Sequence, residues 1–185
     1  MNRNKALRVL FFFNSIFVFG GSVLGPLYSI FVVNITNDVF SVSASWAIFM
    51  LVATMGTAFV AKFGDKLKEK EYLLLAGYLF RAIGWFGYLF VTNLPQILII
   101  QVILGLGEAV GTPSFDAIVV TPIDSKIRVK EYSIWKVLNN LFIALGTLAG
   151  GLVVEHYGFP ILFVGMSAIA LIAFVGILVQ PRKLL

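Results

Sequence analysis

One polar row runs through an otherwise apolar stretch of the chain. Gln101, Gly105, Glu108, Thr112 and Asp116 follow one another at spacings of four, three, four and four residues. At about 100° per helical residue, these spacings place all five positions within an arc of about 80°. A polar face on a helix that crosses a membrane must meet other protein or water rather than lipid. The row predicts a helix that lines a bundle interior or a cavity, with Glu108 as the candidate for substrate or proton handling.

A second row of aromatic and polar residues has spacings of three and four. Its members are Tyr78, Arg81, Trp85, Tyr88 and Thr92. Arg81 and Glu108 both lie near the middle of their apolar stretches, where an unpaired charge costs about 2.5–3.5 kcal/mol on insertion scales. We therefore predict that Arg81 and Glu108 pair with each other. Whether such a pair binds a solute or only braces two helices is left open by the sequence.

Two further apolar stretches carry weaker polar faces. One contains Asn14 and Tyr28, and the other contains Asn140. Three helices thus offer one polar face each, and we expect these faces to border a common path for a solute. The candidate residues of that path are Glu108, Gln101, Thr112, Arg81, Asn14, Tyr28 and Asn140.

The composition places these residues in a membrane. Of the 185 residues, 59% are hydrophobic and 12% charged, whereas about 25% are charged in soluble proteins. The apolar residues fall into stretches of roughly 20, the length at which a helix crosses about 30 Å of hydrocarbon. We predict an all-α integral membrane protein, a single domain of six transmembrane helices. The predicted spans are 6–33, 44–63, 72–91, 97–120, 135–154 and 161–179.

Positive charge lies on one side of this six-span arrangement. Thirteen of the fourteen Lys and Arg residues lie before the first span, between spans two and three, around the segment between four and five, or after six. The opposite segments, 34–43, 92–96 and 155–160, contain no Lys or Arg. Cytoplasmic segments are enriched in these cations, so both termini are predicted to be cytoplasmic in a cell membrane. The net charge of +5 then reflects topology, and no nucleic-acid partner is expected.

Cysteine is absent, and the single histidine, His156, lies in a predicted outer turn without nearby ligand partners. We therefore predict neither a metal site nor a cofactor. The spans also lack a Gly-x-Ser-x-Gly elbow and paired catalytic aspartates, so an enzyme is not expected.

Glycine and proline recur at matching positions in spans one and four. Aligning Gly21 with Gly107 places Gly25 on Gly111. Because these spans run in opposite directions, the match predicts a three-plus-three inverted repeat, residues 1–91 and 97–185, with weakened helices at a transport site. Close helix packing through small residues explains any single glycine equally well. The residues expected to pack or bend are Gly21, Gly25, Pro26, Gly105, Gly107, Gly111, Gly146, Gly150 and Gly151.

Four segments, in chain order, are similar to known motifs. Residues 61–70, A-K-F-G-D-K-L-K-E-K, resemble G-x-L-A-D-R-x-G-R-R through Asp65, Lys66 and Lys70, with both glycines displaced. Residues 101–109 resemble R-x-x-x-G-x-G-x-A with glutamine at the arginine position, and 128–135 resemble R-G-R-A-x-G-x-W. Residues 146–151, G-T-L-A-G-G, resemble G-P-x-x-G-G through Gly146, Gly150 and Gly151. This series resembles the amino-terminal six-helix half of a Major Facilitator Superfamily transporter.

The resemblance implies secondary active transport of a small solute by alternating access, with proton-coupled efflux as the leading expectation. It implies that Asp65, Lys66 and Lys70 belong to a cytoplasmic latch and that spans one and four face the solute path. Two partners are implied in addition to the solute. One is the lipid bilayer, and the other is a second six-helix half supplied by another copy or by a partner chain. The alternative is a six-helix membrane substrate-binding subunit of a larger transport complex, which would bind a solute without its own alternating access.

Overall fold

The structure, a computed structural model, describes residues 3–63, 71–120 and 128–180. Four helices are long and apolar enough to cross a membrane, and the bent pair at the start of the chain gives up to a fifth span. The prediction of an all-helical membrane protein is confirmed for the described residues. The helices are α1 (Arg3–Ser22), α2 (Leu27–Thr36), α3 (Val39–Phe63), α4 (Glu71–Gly87), α5 (Leu94–Val120) and α6 (Arg128–Leu178), with a 3-10 turn at Tyr88–Phe90.

The first predicted span consists of two helices with a bend between them. The axes of α1 and α2 differ by 42°, and the bend falls at Gly25 and Pro26. Gly25 has a φ of 20°, which residues with a Cβ rarely adopt. Pro26 has no N–H with which to continue the hydrogen bonds of α1. The chain is therefore weakest as a helix at the glycine and proline that the sequence singled out.

The turn between α2 and α3 is shorter than the predicted loop 34–43. Asn37 ends α2 in the left-handed region, with its N–H bonded to the Val33 carbonyl oxygen. Asp38 accepts hydrogen bonds from the N–H groups of Phe40 and Ser41 at 3.1 and 3.0 Å, so it caps the start of α3. The Ser41 hydroxyl, and then the Phe40 N–H, lower the pKa of Asp38. The stabilisation from this cap is present above the ordinary aspartate pKa and is lost as the pH falls through the lowered value.

The segment before α5 is also mostly helix cap. The side-chain oxygen of Asn93 accepts the Gln96 N–H at 3.1 Å, and the Gln96 side chain accepts the Thr92 N–H at 2.7 Å. This reciprocal arrangement satisfies donors that a helix start leaves without partners. Span four consequently begins at Leu94, three residues before the predicted start.

The predicted loop 155–160 is replaced by a single break inside α6. Only Gly158 departs from helical geometry there, with φ 78° and ψ 175°. Glycine tolerates this conformation, and Pro160 suits the first turn of the helix that follows. By length and hydropathy, the 43 residues Lys136–Leu178 of α6 form one continuous candidate span, so these criteria alone do not reproduce the six predicted spans.

The two parts of α6 pass α1 in opposite directions. Before the break, a Cβ added to Gly146 would meet Ser22, and one added to Gly150 would meet Val23. The first part of α6 therefore runs parallel to α1. After the break, Gly20 lies against Ile169, whereas the earlier Phe13 lies against the later Gly176. The chain therefore reverses its direction along α1 at the Gly158 break.

The helices pack in two groups of three. The helix α5 lies between α3 and α4, while α1 packs against both parts of α6. The helix α4 also packs against α6 and joins the two groups. Ser167 of α6 donates a hydrogen bond to the Ala82 carbonyl oxygen of α4 at 2.9 Å.

The helix α5 is continuous, in contrast to the weakened span expected from the repeat. It runs from Leu94 to Val120 with Pro113 inside. A Cβ on Gly105 would lie 2.8 Å from the Phe49 carbonyl oxygen of α3, and a Cβ on Gly77 of α4 would lie 2.5 Å from Gly111. The glycines of α5 thus serve close packing on both sides, which is the alternative explanation that the sequence left open.

Candidate functional site

A cavity of about 290 Å³ lies where α1, α2, α3, α4 and α5 meet. Its lining contains three polar or charged groups apart from tyrosine, and these are Arg81, Gln101 and Glu108. The remaining walls are mostly aromatic and aliphatic. A few convergent polar groups in an apolar cavity are typical of small-molecule sites. The aromatic lining residues are Phe17, Tyr28, Trp46, Phe49, Trp85 and Tyr88.

Arg81 of α4 and Glu108 of α5 form the predicted ion pair at this cavity. The Nη2 of Arg81 donates to Oε2 of Glu108. Thr112, one turn further along α5, donates its hydroxyl to Oε1 of Glu108 at 2.7 Å, and its oxygen lies 3.2 Å from the Nη2 of Arg81. The arginine side chain is 12% exposed and the glutamate side chain 37% exposed. Glu108 is thus the more accessible member of a pair with a hydroxyl bridge.

Glycines of α5 create the space for the Arg81 side chain. A Cβ on Gly107 would lie 3.1 Å from the arginine Cγ, and a Cβ on Gly111 would lie 3.3 Å from its Nη1. The guanidinium carbon is also 5.1 Å from the centroid of the Phe17 ring, within the range of a cation–π contact. Arg81 is therefore held by an anion on one side and an aromatic ring on another.

Three hydrogen-bonded residues, Tyr28, Ser45 and Gln101, lie at the end of the cavity nearer the turn between α2 and α3. The Tyr28 hydroxyl donates to the Ser45 hydroxyl at 2.6 Å and accepts a hydrogen bond from the Gln101 side-chain amide. All three residues are buried. Since they belong to α2, α3 and α5, these hydrogen bonds connect the helix beyond the bend to its two neighbours.

The aromatic walls come from several helices and contact one another. The rings of Phe17 and Trp85 are stacked with centroids 5.5 Å apart, and those of Trp46 and Phe49 are 5.1 Å apart. The Tyr28 ring lies 6.1 Å from Trp46. Gly21 faces Trp85, with an added Cβ 3.4 Å from the indole ring. This arrangement offers extended aromatic surface together with hydrogen-bonding groups.

The structure brings together part of the predicted path. Tyr28, Arg81, Gln101 and Glu108 line the cavity, as do Gly21 and Gly25. Thr112 lies next to it, bonded to the ion pair. The latch residues Asp65, Lys66 and Lys70 lie outside the described residues.

Two predicted path residues lie elsewhere. Asn14 is buried, and its side-chain oxygen accepts the Tyr78 hydroxyl at 3.0 Å, so it joins α1 to α4. Asn140 is exposed on α6 and does not line the cavity. Gly150 packs tightly on α1, whereas a Cβ on Gly151 would meet nothing within 4 Å.

The aromatic lining is the part of the site that sequence reasoning missed. Phe17 lies four residues before Gly21 and so shares its helical face, a signal that was available. Trp46 and Phe49 lie on α3, where the signal was the pair Ser41 and Ser45, four residues apart and both buried.

Removal of the Tyr28 hydroxyl tests the polar group that it joins. In Tyr28→Phe, the Gln101 amide loses its partner inside the bundle, a loss worth about 1–2 kcal/mol. For a chain of this size, that corresponds to a fall in Tm of about 2–8 °C, measured by tryptophan fluorescence during heating. The control is Tyr157→Phe, because Tyr157 is 70% exposed. Equal Tm values for both variants would show that the Tyr28 hydrogen bonds contribute no stability.

Two bacterial proteins that are named as transporters are similar to this chain. It is 26% identical over 137 residues to the multi-drug resistance efflux pump PmrA homolog of Lactococcus lactis, which covers 73% of this chain and 33% of that protein. It is 27% identical over 138 residues to the riboflavin transporter RibZ of Clostridioides difficile, which covers 74% of this chain and 30% of that protein. The matched region thus spans about a third of each relative.

A model of one protein family matches nearly the whole chain. The match extends over residues 10–184 and is to the Major Facilitator Superfamily. It includes the bent α1/α2 pair, the ion pair and every residue of the cavity. The apolar helices agree with a multi-pass membrane protein of this family. This chain belongs to the Major Facilitator Superfamily.

Proposed function

We propose that this chain forms a six-helix unit of a secondary transporter, which moves a small solute across the membrane by alternating access. The observation that carries the proposal is the cavity with the Arg81–Glu108 pair at the meeting point of five helices. The family and the names of the two relatives, an efflux pump and a riboflavin transporter, support it. Proton-coupled efflux is the proposed mode, with Glu108 as the group that takes up and releases the proton.

The packing supports six spans in a three-plus-three inverted repeat. If α6 is divided at Gly158, α1 packs on the fifth and sixth spans, while α5, the fourth span, packs on the second and third. Each repeat therefore places its first span against the last two spans of the other repeat. An exchange of this kind is the contact pattern that a two-fold axis in the membrane plane produces. The reversal of direction along α1 agrees with it.

The bend at Gly25 and Pro26 is proposed as a point of movement in alternating access. The helix α2 beyond it is connected to α3 and α5 through the Tyr28 hydrogen bonds, which two conformations can make and break differently. Asp65, Lys66 and Lys70 are proposed to form the latch on the cytoplasmic side.

A second six-helix unit is proposed to complete the transporter, whether it belongs to the same polypeptide, to a second copy or to a partner chain. Each of the two relatives is about three times as long as the region matched here. Large apolar side chains are exposed along the first part of α6, among them Leu141, Leu148 and Leu152. Lipid and a second unit would cover such a surface between them.

Both termini are proposed to be cytoplasmic, in the cell membrane. Reporter domains inserted at Lys68, at Arg128 or after Leu185 are expected to lie in the cytoplasm. Reporter domains inserted at the Asn37–Asp38 turn or at Gly158 are expected to lie outside the cell, because these turns lie within segments that contain no Lys or Arg. Alkaline phosphatase and green fluorescent protein fusions, which are active on opposite sides, provide the measurement. A clear reversal at any one position would contradict the six-span arrangement.

Solute movement in sealed vesicles tests the proposed function. Everted vesicles that contain the chain are expected to accumulate a fluorescent drug or riboflavin when their interior is acidified. Accumulation should stop when an ionophore removes the pH gradient. Vesicles without the chain are the control. Saturable binding without accumulation would favour the alternative, a membrane substrate-binding subunit of a larger transport complex.

A further inference from the structure

We infer that the cavity takes a flat aromatic solute without net charge, whose edge carries both a hydrogen-bond donor and an acceptor, as in a lactam. This inference names the substrate class and rests on the proposed function. It is carried by three independent features of the cavity, which are its aromatic walls, its self-neutralised charge and its amide-containing end.

The walls favour a flat ring over an aliphatic solute of equal size. Six of the fourteen lining residues are aromatic and come from both sides of the cavity. Stacking of a base on an aromatic side chain is worth about 1–3 kcal/mol in other proteins. A volume of about 290 Å³ holds about ten waters at about 30 Å³ each, which is room for one fused-ring molecule. Because Gly21 has no side chain, none lies between it and the indole ring of Trp85.

The charged groups exclude a net charge on the solute. Among the described residues, Arg81 and Glu108 are the only charged ones that line the cavity, and they neutralise each other. Aromatic walls alone would attract a cation, but the Arg81 guanidinium already lies 5.1 Å from the Phe17 ring and repels a second one. An anion would have to compete with Glu108 for Arg81, whose side chain is only 12% exposed. Either ion must break a pair that a neutral solute leaves intact.

The end of the cavity near Tyr28 supplies the hydrogen-bonding groups. The Gln101 amide nitrogen donates to Tyr28, and in the described part of the chain its carbonyl oxygen has no hydrogen-bond partner. That oxygen can accept an N–H from the solute. Thr112 and Glu108 lie at the opposite end with further oxygen atoms. The Gln101 amide nitrogen carries a second N–H, which is not used in the bond to Tyr28 and can donate to a carbonyl oxygen of the solute. A solute edge with one donor and one acceptor therefore matches the Gln101 amide without breaking its bond to Tyr28.

A set of matched ring compounds tests the inference by direct binding. The purified chain in lipid nanodiscs is titrated calorimetrically with 2-quinolone, which is flat, neutral and a lactam, after subtraction of empty nanodiscs. The comparison compounds are N-methylquinolinium, quinoline-2-carboxylate and decahydro-2-quinolone, which change the charge in either direction or remove the flat ring. We expect saturable binding of 2-quinolone and at least tenfold weaker binding of the other three. Equal or tighter binding of either ion or of the saturated compound overturns the inference, as does the absence of 2-quinolone binding.

Variants of the aromatic wall locate that binding. Trp46 lines the cavity and is half exposed, so Trp46→Leu should keep the fold while weakening 2-quinolone binding about tenfold. Phe40→Leu on the same helix is the control, because Phe40 is exposed and does not line the cavity. An equal effect of both variants overturns the location. The calorimetric titration measures binding without transport, so the two proposals can fail separately. If 2-quinolone binds as expected but the vesicles accumulate no solute, alternating access is rejected and the inferred substrate class is retained.

Discussion

Gly150→Ala is expected to lower the Tm of the protein by about 6 °C or more. A Cβ at this position would overlap the backbone of Val23 on α1, which cannot rotate away as a side chain can. Overpacking of this kind costs about 1–3 kcal/mol or more, and backbone contact places the variant at the upper end. At about 2–4 °C per kcal/mol for a chain of this length, a cost of about 3 kcal/mol or more corresponds to a fall in Tm of about 6 °C or more. Tryptophan fluorescence and size-exclusion recovery after heating provide the measurement.

The adjacent residue is a matched control for this prediction. A Cβ on Gly151 would meet nothing within 4 Å, and alanine is favoured over glycine within a helix by about 1 kcal/mol. Gly151→Ala should therefore leave the Tm unchanged or raise it slightly. If Gly150→Ala were equally harmless, the close contact between α1 and the first part of α6 would be absent from the protein. Both glycines were predicted from the sequence to pack or bend the helix, and only the packing distinguishes them.

The helices were predictable from hydrophobicity and length, because lipid requires about 20 apolar residues in each span. The turns were not, since their ends depend on individual caps. Asp38 shortens the predicted loop 34–43 to two residues by bonding the first N–H groups of α3. Gly158 replaces the loop 155–160 by a single non-helical residue. Hydrophobicity reports which residues avoid water, and it carries little information about where a helix ends.

The candidate site was predictable where periodicity marked a helical face. The row containing Gln101 and Glu108 indicated two of the cavity's polar groups, and insertion cost indicated the pairing of Glu108 with Arg81. Asn14 shows the limit of this reasoning, because a polar residue inside a span is equally well explained by a hydrogen bond to a neighbouring helix. Its partner, Tyr78, belongs to a helix more than sixty residues away in the chain, and only the packing of α1 on α4 brings the two together.

The largest expected effect on transport is that of Glu108→Gln. A double-mutant cycle compares this variant with Arg81→Gln and with the variant that carries both changes. A glutamine keeps the shape and one hydrogen-bond acceptor for Arg81, but it cannot take up and release a proton, so accumulation driven by a pH gradient should fall at least tenfold.

The same variant should also lose stability, because Arg81 retains a charge in a place where it is only 12% exposed. An unpaired charge near the middle of a membrane costs about 2.5–3.5 kcal/mol on insertion scales, and the remaining hydrogen bond offsets part of this. Arg81→Gln together with Glu108→Gln should recover most of the lost Tm, since the two residues contact each other and their effects are not additive. Glu155→Gln is the control, because Glu155 is exposed on α6.

Transport and stability must respond differently in the double variant if Glu108 carries the proton. The neutral pair of glutamines removes the unpaired charge, so the Tm returns. Among the described residues no carboxyl group then lines the cavity, so the dependence on the pH gradient stays lost. Exchange of solute across the membrane without a gradient should persist in both variants, because it requires binding and alternating access and no net proton movement. If the double variant regained its Tm and also kept gradient-driven accumulation, Glu108 and Arg81 would be a brace between α4 and α5, and the proton would have to be carried by another residue.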